Sequence, residues 1–177
     1  MPTQAPVIET ERLILREFRI SDLDASAALW GDEEVTRFIG GRPQSREEVW
    51  PRILRYIGHW AALGYGFWVI EEKGTGRYLG EIGFGDFQRT LEPSFGDTPE
   101  AGWALAPNAH GKGYASEALA AVLSWGEQHF GADARTVCMI NIDNAPSVKV
   151  AEKAGFKPFA YATYRNEPVI LFERKPN

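Results

Sequence analysis

The 177-residue sequence predicts one mixed α/β domain, spanning residues 1–177, with about seven strands and about four helices. Apolar residues recur at period two in some segments and at helical spacing in others. Two capping signatures open the early helices. Three strand patterns then run consecutively before the third helix, an order that neither a doubly wound sheet nor a β/α barrel allows.

Residues 11–18 alternate polar positions with Leu13 and Leu15 and read as the first strand. Ser21, with Asp24 three residues on, is the expected N-cap of a short helix carrying Leu23, Ala27 and Trp30, which Gly31-Asp32 ends. Gly40-Gly41-Arg42-Pro43 is a turn. The Ser45-x-x-Glu48 capping box starts a second helix, with Val49, Ile53, Tyr56 and Trp60 on one face, that runs to about Leu63. Residues 67–72 and 78–87 are rich in aromatic and β-branched side chains and flank Lys73-Gly74-Thr75-Gly76, so they form a hairpin. Residues 89–99 lack a period and read as a loop before a strand at 100–106. A helix at 113–130 packs through Ala115, Leu119, Val122 and Gly126. A strand at 136–141, a helix at 144–154 stopped by Gly155, and strands at 157–163 and 169–174 complete the chain.

Composition excludes several classes. The net charge of −5, with its charges scattered, argues against broad nucleic-acid binding, which needs a concentrated Lys/Arg surface. No run approaches the roughly 20 apolar residues that span a bilayer, and the N-terminus lacks a secretory pattern, so no membrane partner is expected. Cys138 is the single cysteine and has no metal-ligand spacing to a histidine; no metal site is expected and a cytoplasmic setting suits it. The three histidines, His59, His110 and His129, fall in different elements and read as surface or packing residues.

The chemistry concentrates where Pro107 breaks a strand and a long helix begins. In His110-Gly111-Lys112-Gly113-Tyr114-Ala115, two glycines let the backbone approach an anion, and the helix start adds N–H groups and a partial positive charge. A pyrophosphate suits this geometry, with Lys112 as a point charge and Ser116 as a hydroxyl donor. A P-loop is excluded because Gly113 follows Lys112 where Ser or Thr is required. A dinucleotide fingerprint is excluded because Ser116 stands at its third glycine.

This segment, continuing into Ser116-Glu117-Ala118-Leu119, resembles the acyl-CoA loop of the GNAT superfamily of N-acetyltransferases, with His110 at a position where the pattern has Gln or Arg. Asn141-x-x-Asn144-x-x-Ser147, running into Glu152-Lys153-Ala154-Gly155-Phe156, is similar to the fourth-helix motif of the RimJ/RimL-like branch, whose members acetylate N-terminal amines of ribosomal proteins. The opening Glu9-Thr10-Glu11-Arg12-Leu13-Ile14-Leu15-Arg16 resembles the same branch. The resemblance implies a mostly antiparallel central sheet, acetyl-CoA as cosubstrate, and an amine acceptor attacked directly in a ternary complex, by a monomer or homodimer. It implies that Trp103, Leu105 and Ala106 line the pantetheine arm, that the loop from His110 to Ser116 holds the pyrophosphate, and that Asn144 contacts CoA besides capping its helix.

For a base, the resemblance points to Glu100, whose bland alternative is a solvated carboxylate at a strand edge; Asp86 and Asp97 are weaker rivals. For an acid, the family's usual tyrosine position holds Ala151, which shifts the expectation to Ser147 beside the thiol or, equally, to a first-turn hydroxyl without a chemical role. Trp30, Phe38 and Trp60 are expected to pack the first two helices, which flank the acceptor cleft in the family. An acyl-CoA-binding module without turnover is the alternative reading, since the phenol is absent and His110 is substituted. An interaction domain with no CoA site is a third.

Overall fold

The computed structural model describes residues 1–175. Eight strands form one sheet: β1 (Ile8–Glu9), β2 (Leu13–Arg16), β3 (Phe67–Glu72), β4 (Tyr78–Gly85), β5 (Glu100–Leu105), β6 (Thr136–Asn141), β7 (Lys157–Tyr164) and β8 (Glu167–Arg174), in the spatial order β1-β2-β3-β4-β5-β6-β8-β7. Every neighbouring pair is antiparallel except β5 and β6. Five α-helices accompany it: α1 (Leu23–Trp30), α2 (Glu33–Thr36), α3 (Arg46–Leu63), α4 (Tyr114–Phe130) and α5 (Ala145–Lys153).

The added strand β1 and helix α2 are the two shortest elements of their kinds, too short to show a period. Ser21 is not the cap of the first helix. A 3₁₀ turn over Ile20–Asp22 precedes α1, and Asp22 accepts the Arg19 N–H at 2.7 Å, because a carboxylate on the third residue reaches back where the Ser21 hydroxyl does not. Ser45 behaves as expected: its hydroxyl accepts from Glu48 N–H, Glu48 accepts from Ser45 N–H, and Gly64 closes α3 at φ 75°.

The two faces of the sheet are covered differently. On one face α4 packs Ala118, Leu119, Val122 and Leu123 against Leu15, Ile70, Leu79 and Ile82, while Trp60, Trp68 and Trp125 meet edge to face with centroids 4.8 to 5.4 Å apart. On the other face α1 and α3 cover the first half of the sheet through Leu29, Trp30, Val49, Ile53 and Tyr56. Leu91 and Phe95, from the loop between β4 and β5, cover Val137, Val169 and Leu171 on the second half. On that face Gly102 of β5 and Met139 and Asn141 of β6 are only half-buried.

Candidate active site

Strands β5 and β6 share a single register pair, Glu100↔Val137, held by a Val137 N–H bond to the Pro99 carbonyl at 3.1 Å. Past that point they diverge, and no pairing with β6 covers residues 102–105. Ala106 N–H bonds the Leu79 carbonyl of β4, so the antiparallel alternation turns the main chain of Trp103 and Leu105 the other way, into the opening. The Ala106 N–H serves Leu79 and its carbonyl accepts from Ala109 at 2.9 Å, which leaves its side chain as the part that can line the arm. His110 is more than a surface residue: its Nε2–H donates to the Leu105 carbonyl at 2.7 Å, fastening the loop to the end of β5.

The opening runs into the loop before α4. Gly111 and Gly113 hold φ values of 72° and 78°, a region that other residues enter at a cost, and an added Cβ at Gly111 would meet nothing within 4 Å. No side chain caps α4, and its first helical bond is Glu117 N–H to the Gly113 carbonyl, so the N–H groups of Tyr114, Ala115 and Ser116 have no helical partner. Lys112 is exposed beside them. From Ser116 a groove of about 360 Å³ continues between α4 and α5, lined by Ala120, Leu123, Val150, Lys153 and Arg174. Loop, opening and groove together fit a ligand with a pyrophosphate, a long thin arm and a bulky end.

At the mouth of the opening, α5 begins at Asn144, whose side chain accepts the Ser147 N–H at 3.3 Å. Asn144 is therefore the cap, and Ser147 is left with a hydroxyl not required for capping, half-buried in the first turn. Ala151 is fully buried.

Glu100 stands at the vertex where β5 and β6 separate. It is 6% exposed, which removes the reading of a solvated strand-edge carboxylate. Both its oxygens are engaged by Arg89, Nε to Oε2 at 2.7 Å and Nη2 to Oε1 at 2.9 Å. Burial pushes the Glu100 carboxyl above the usual carboxylate range, against the opposing pull of Arg89. Arg89 lies over Phe87 (4.7 Å) and Tyr164 (5.0 Å), so the pair ties the β4–β5 loop and the tip of the β7–β8 hairpin to the vertex. A small cavity of about 150 Å³ opens there, with Asp86 and Asp97 in its lining. Asp86 is occupied by Gln88, and its own N–H donates to His59 Nε2 at 3.0 Å.

Two features had no visible signal in the sequence. Glu81 in β4 is 1% exposed and accepts from Ser26 Oγ (2.6 Å), Trp30 Nε1 (3.0 Å) and Tyr78 Oη (2.8 Å), which locks α1 to the sheet beside Ala104. Cys138 is sealed in the core, and burial together with nearby Glu100 pushes its thiol well up, so it is no nucleophile. Among the described residues no cluster of potential metal ligands occurs, and no helix is long and apolar enough to cross a membrane.

Known proteins share this fold. Residues 12–157 match the Acetyltransferase (GNAT) domain family. The uncharacterized N-acetyltransferase YoaA of Bacillus subtilis (strain 168) is 29% identical over 153 residues, covering 86% of this chain and 83% of its own. A GnaT-family acetyltransferase structure from Bordetella pertussis superposes with a TM-score of 0.84 at 30% identity, covering 96% of this chain and 99% of that one. A Salmonella typhimurium acetyltransferase described as modifying the N-terminal serine of ribosomal protein L7/L12 shares the fold, with a TM-score of 0.78 at 21% identity over 97% of this chain and 100% of that one.

Proposed function

The chain belongs to the GNAT family of acetyltransferases, and on that footing we propose that it carries acetyl from acetyl-CoA directly to an amine of low basicity, such as a protein N-terminal α-amine or a comparable small-molecule amine. The observation that carries this reading is the divergence of β5 from β6, followed after one 3₁₀ turn over Pro107–Ala109 by the glycine loop of α4. The loop N–H groups from Gly111 to Ser116 bind the pyrophosphate, Lys112 adds charge, and the main chain of Trp103 with the Leu105 N–H pairs with the arm, the Leu105 carbonyl being taken by His110. An unpaired N–H on this strand also faces the thioester oxygen as negative charge develops there. Asn144 and Ser147 sit at the thiol end, where Ser147 donates to the departing sulfur. A thiol with a pKa of about 8.5 needs little help to leave near neutrality.

The amine must reach the thioester neutral. Glu100 takes its proton through a water, and the raised affinity of this carboxyl for protons favours that role. Arg89 leaves each Glu100 oxygen one lone-pair direction for such a water. A weak, already paired base suits an α-amine, whose pKa is about 7.7 to 8.0, better than lysine at about 10.4, where neutralisation near pH 7 costs roughly 3 to 4 kcal/mol more. The Salmonella relative, described as acting on an N-terminal serine, supports the same acceptor class. Direct transfer needs no enzyme nucleophile, in keeping with the buried Cys138. The setting we assign is the cytoplasm, which keeps that lone thiol reduced. Thiol release measured with matched peptides tests the acceptor: one with a free N-terminus and no lysine, one N-terminally blocked with a single lysine. Faster turnover of the first is expected, and preference for the second removes the acceptor assignment.

A further inference from the structure

The motif at the start of the chain, Thr10-x-Arg12, has no part in the site as described so far, yet it is tied to the cofactor loop and the first turn of α4 across 100 to 107 positions. Arg12 donates from Nη1 to the Lys112 carbonyl at 2.8 Å and from Nε to Glu117 Oε2 at 2.7 Å. Its main-chain N–H and the Thr10 hydroxyl both donate to Glu117 Oε1, at 2.8 and 2.6 Å. The guanidinium lies 4.5 Å from the centre of the Tyr114 ring, and the far side of that ring is fixed by its hydroxyl donating to Glu72 at 2.9 Å. A Cβ on Gly113 would come within 3.4 Å of Arg12 Nη2.

We infer that Arg12 is a positioning residue for the acetyl-CoA loop, holding the Lys112 carbonyl back against β2 so that the N–H groups of the loop face the pyrophosphate. The physical basis is the peptide unit. Lys112 C=O and Gly113 N–H belong to one plane and point in opposite directions, so pinning the carbonyl inward aims the N–H outward. Two glycines at positive φ leave this loop with many alternatives, and a flexible loop orders its donors only by losing entropy on binding. Glu117 completes the device. Its carboxylate, in the first turn of α4, orients the guanidinium while Thr10 and the Arg12 main chain satisfy its remaining acceptor sites. Lysine has a single, non-planar donor group and cannot span Glu117 and the Lys112 carbonyl together.

Calorimetric titration of Arg12→Ala and Arg12→Lys with CoA and with 3′-dephospho-CoA tests this. Both variants are expected to bind each ligand about 10-fold more weakly than the parent, and steady-state rates should show a raised KM for acetyl-CoA with kcat and acceptor KM nearly unchanged. Unchanged affinity in Arg12→Ala overturns the inference. Full rescue by Arg12→Lys shows a long-range charge effect, and a loss confined to CoA shows direct contact with the 3′-phosphate; either outcome also overturns positioning. Binding is measured well below the apo melting temperature of each variant, so a global stability loss does not imitate the result. Because the parent's own titration reports whether CoA binds, failure of the family reading and failure of this inference are distinguishable.

Discussion

Replacing Arg89 with methionine isolates the electrostatics at the vertex of the site. Methionine keeps much of the packing between Phe87 and Tyr164 but leaves Glu100, whose side chain is 8% exposed, with no cation. Breaking a buried pair by removing one partner costs about 3 to 5 kcal/mol. Glu100 limits that cost by accepting a proton. From the ordinary carboxyl value of 4.5, neutralisation at pH 7 costs about 2.5 units at 1.36 kcal/mol each, roughly 3.4 kcal/mol, and at pH 5 only about 0.7. In the folded variant the Glu100 pKa lies above its unfolded value, so the native state binds more protons between the two. Its stability is therefore fully present below about pH 4.5 and is lost as pH rises through the folded pKa. Urea unfolding should show Arg89→Met destabilised by about 3 kcal/mol at pH 7 and by about 1 kcal/mol at pH 5. Adding Glu100→Met should recover most of the deficit at pH 7. A loss that is the same at both pH values, or one that the second substitution deepens, refutes the reasoning.

Three further outcomes follow from the same geometry. Glu100→Gln should lower turnover most at acidic pH, where the acceptor amine is most protonated, while CoA affinity by calorimetry stays within about twofold; equal loss at every pH assigns the residue to positioning instead. Gly113→Val should weaken CoA binding about 5- to 30-fold, since a branched residue at φ 78° carries about 1 to 2 kcal/mol of strain that the loop relieves by leaving its binding shape, and unchanged affinity would remove the loop from the site. Ser26→Ala should cost about 1 to 3 kcal/mol in urea unfolding, because Glu81 is left buried with one donor fewer; a neutral result would show that Trp30 and Tyr78 suffice.

The features legible in the sequence are those whose physics is local. The Ser45–Glu48 capping box, the hairpin at Lys73-Gly74-Thr75-Gly76 and the glycine loop before α4 each need particular residue types at fixed short spacing, and each appears in place. The features that were not legible depend on partners far apart in the chain. Arg12 and Glu117 meet across 105 positions, and Glu81 in a strand gives no sign that Ser26 and Trp30 will close over it. Arg89 lies in a loop without a period, so its capture of Glu100 is invisible until the β4–β5 connection is folded. Ala106 falls at the end of the predicted strand, and its pairing with Leu79 depends on the strand register. Short elements also escape, since a strand of two residues and a helix of four carry only about one repeat of their period, too little to show a pattern.

The most direct measurement mixes the protein with acetyl-CoA and an α-amine peptide and follows two products at once, free CoA thiol by absorbance and acetylated peptide by mass spectrometry. Equal amounts of the two products, initial-rate lines that intersect when both substrates are varied, and no acetylated protein at any time are predicted. No thiol release with any amine, or thiol release through an acetylated enzyme with parallel rate lines, would contradict direct acetyl transfer in this site.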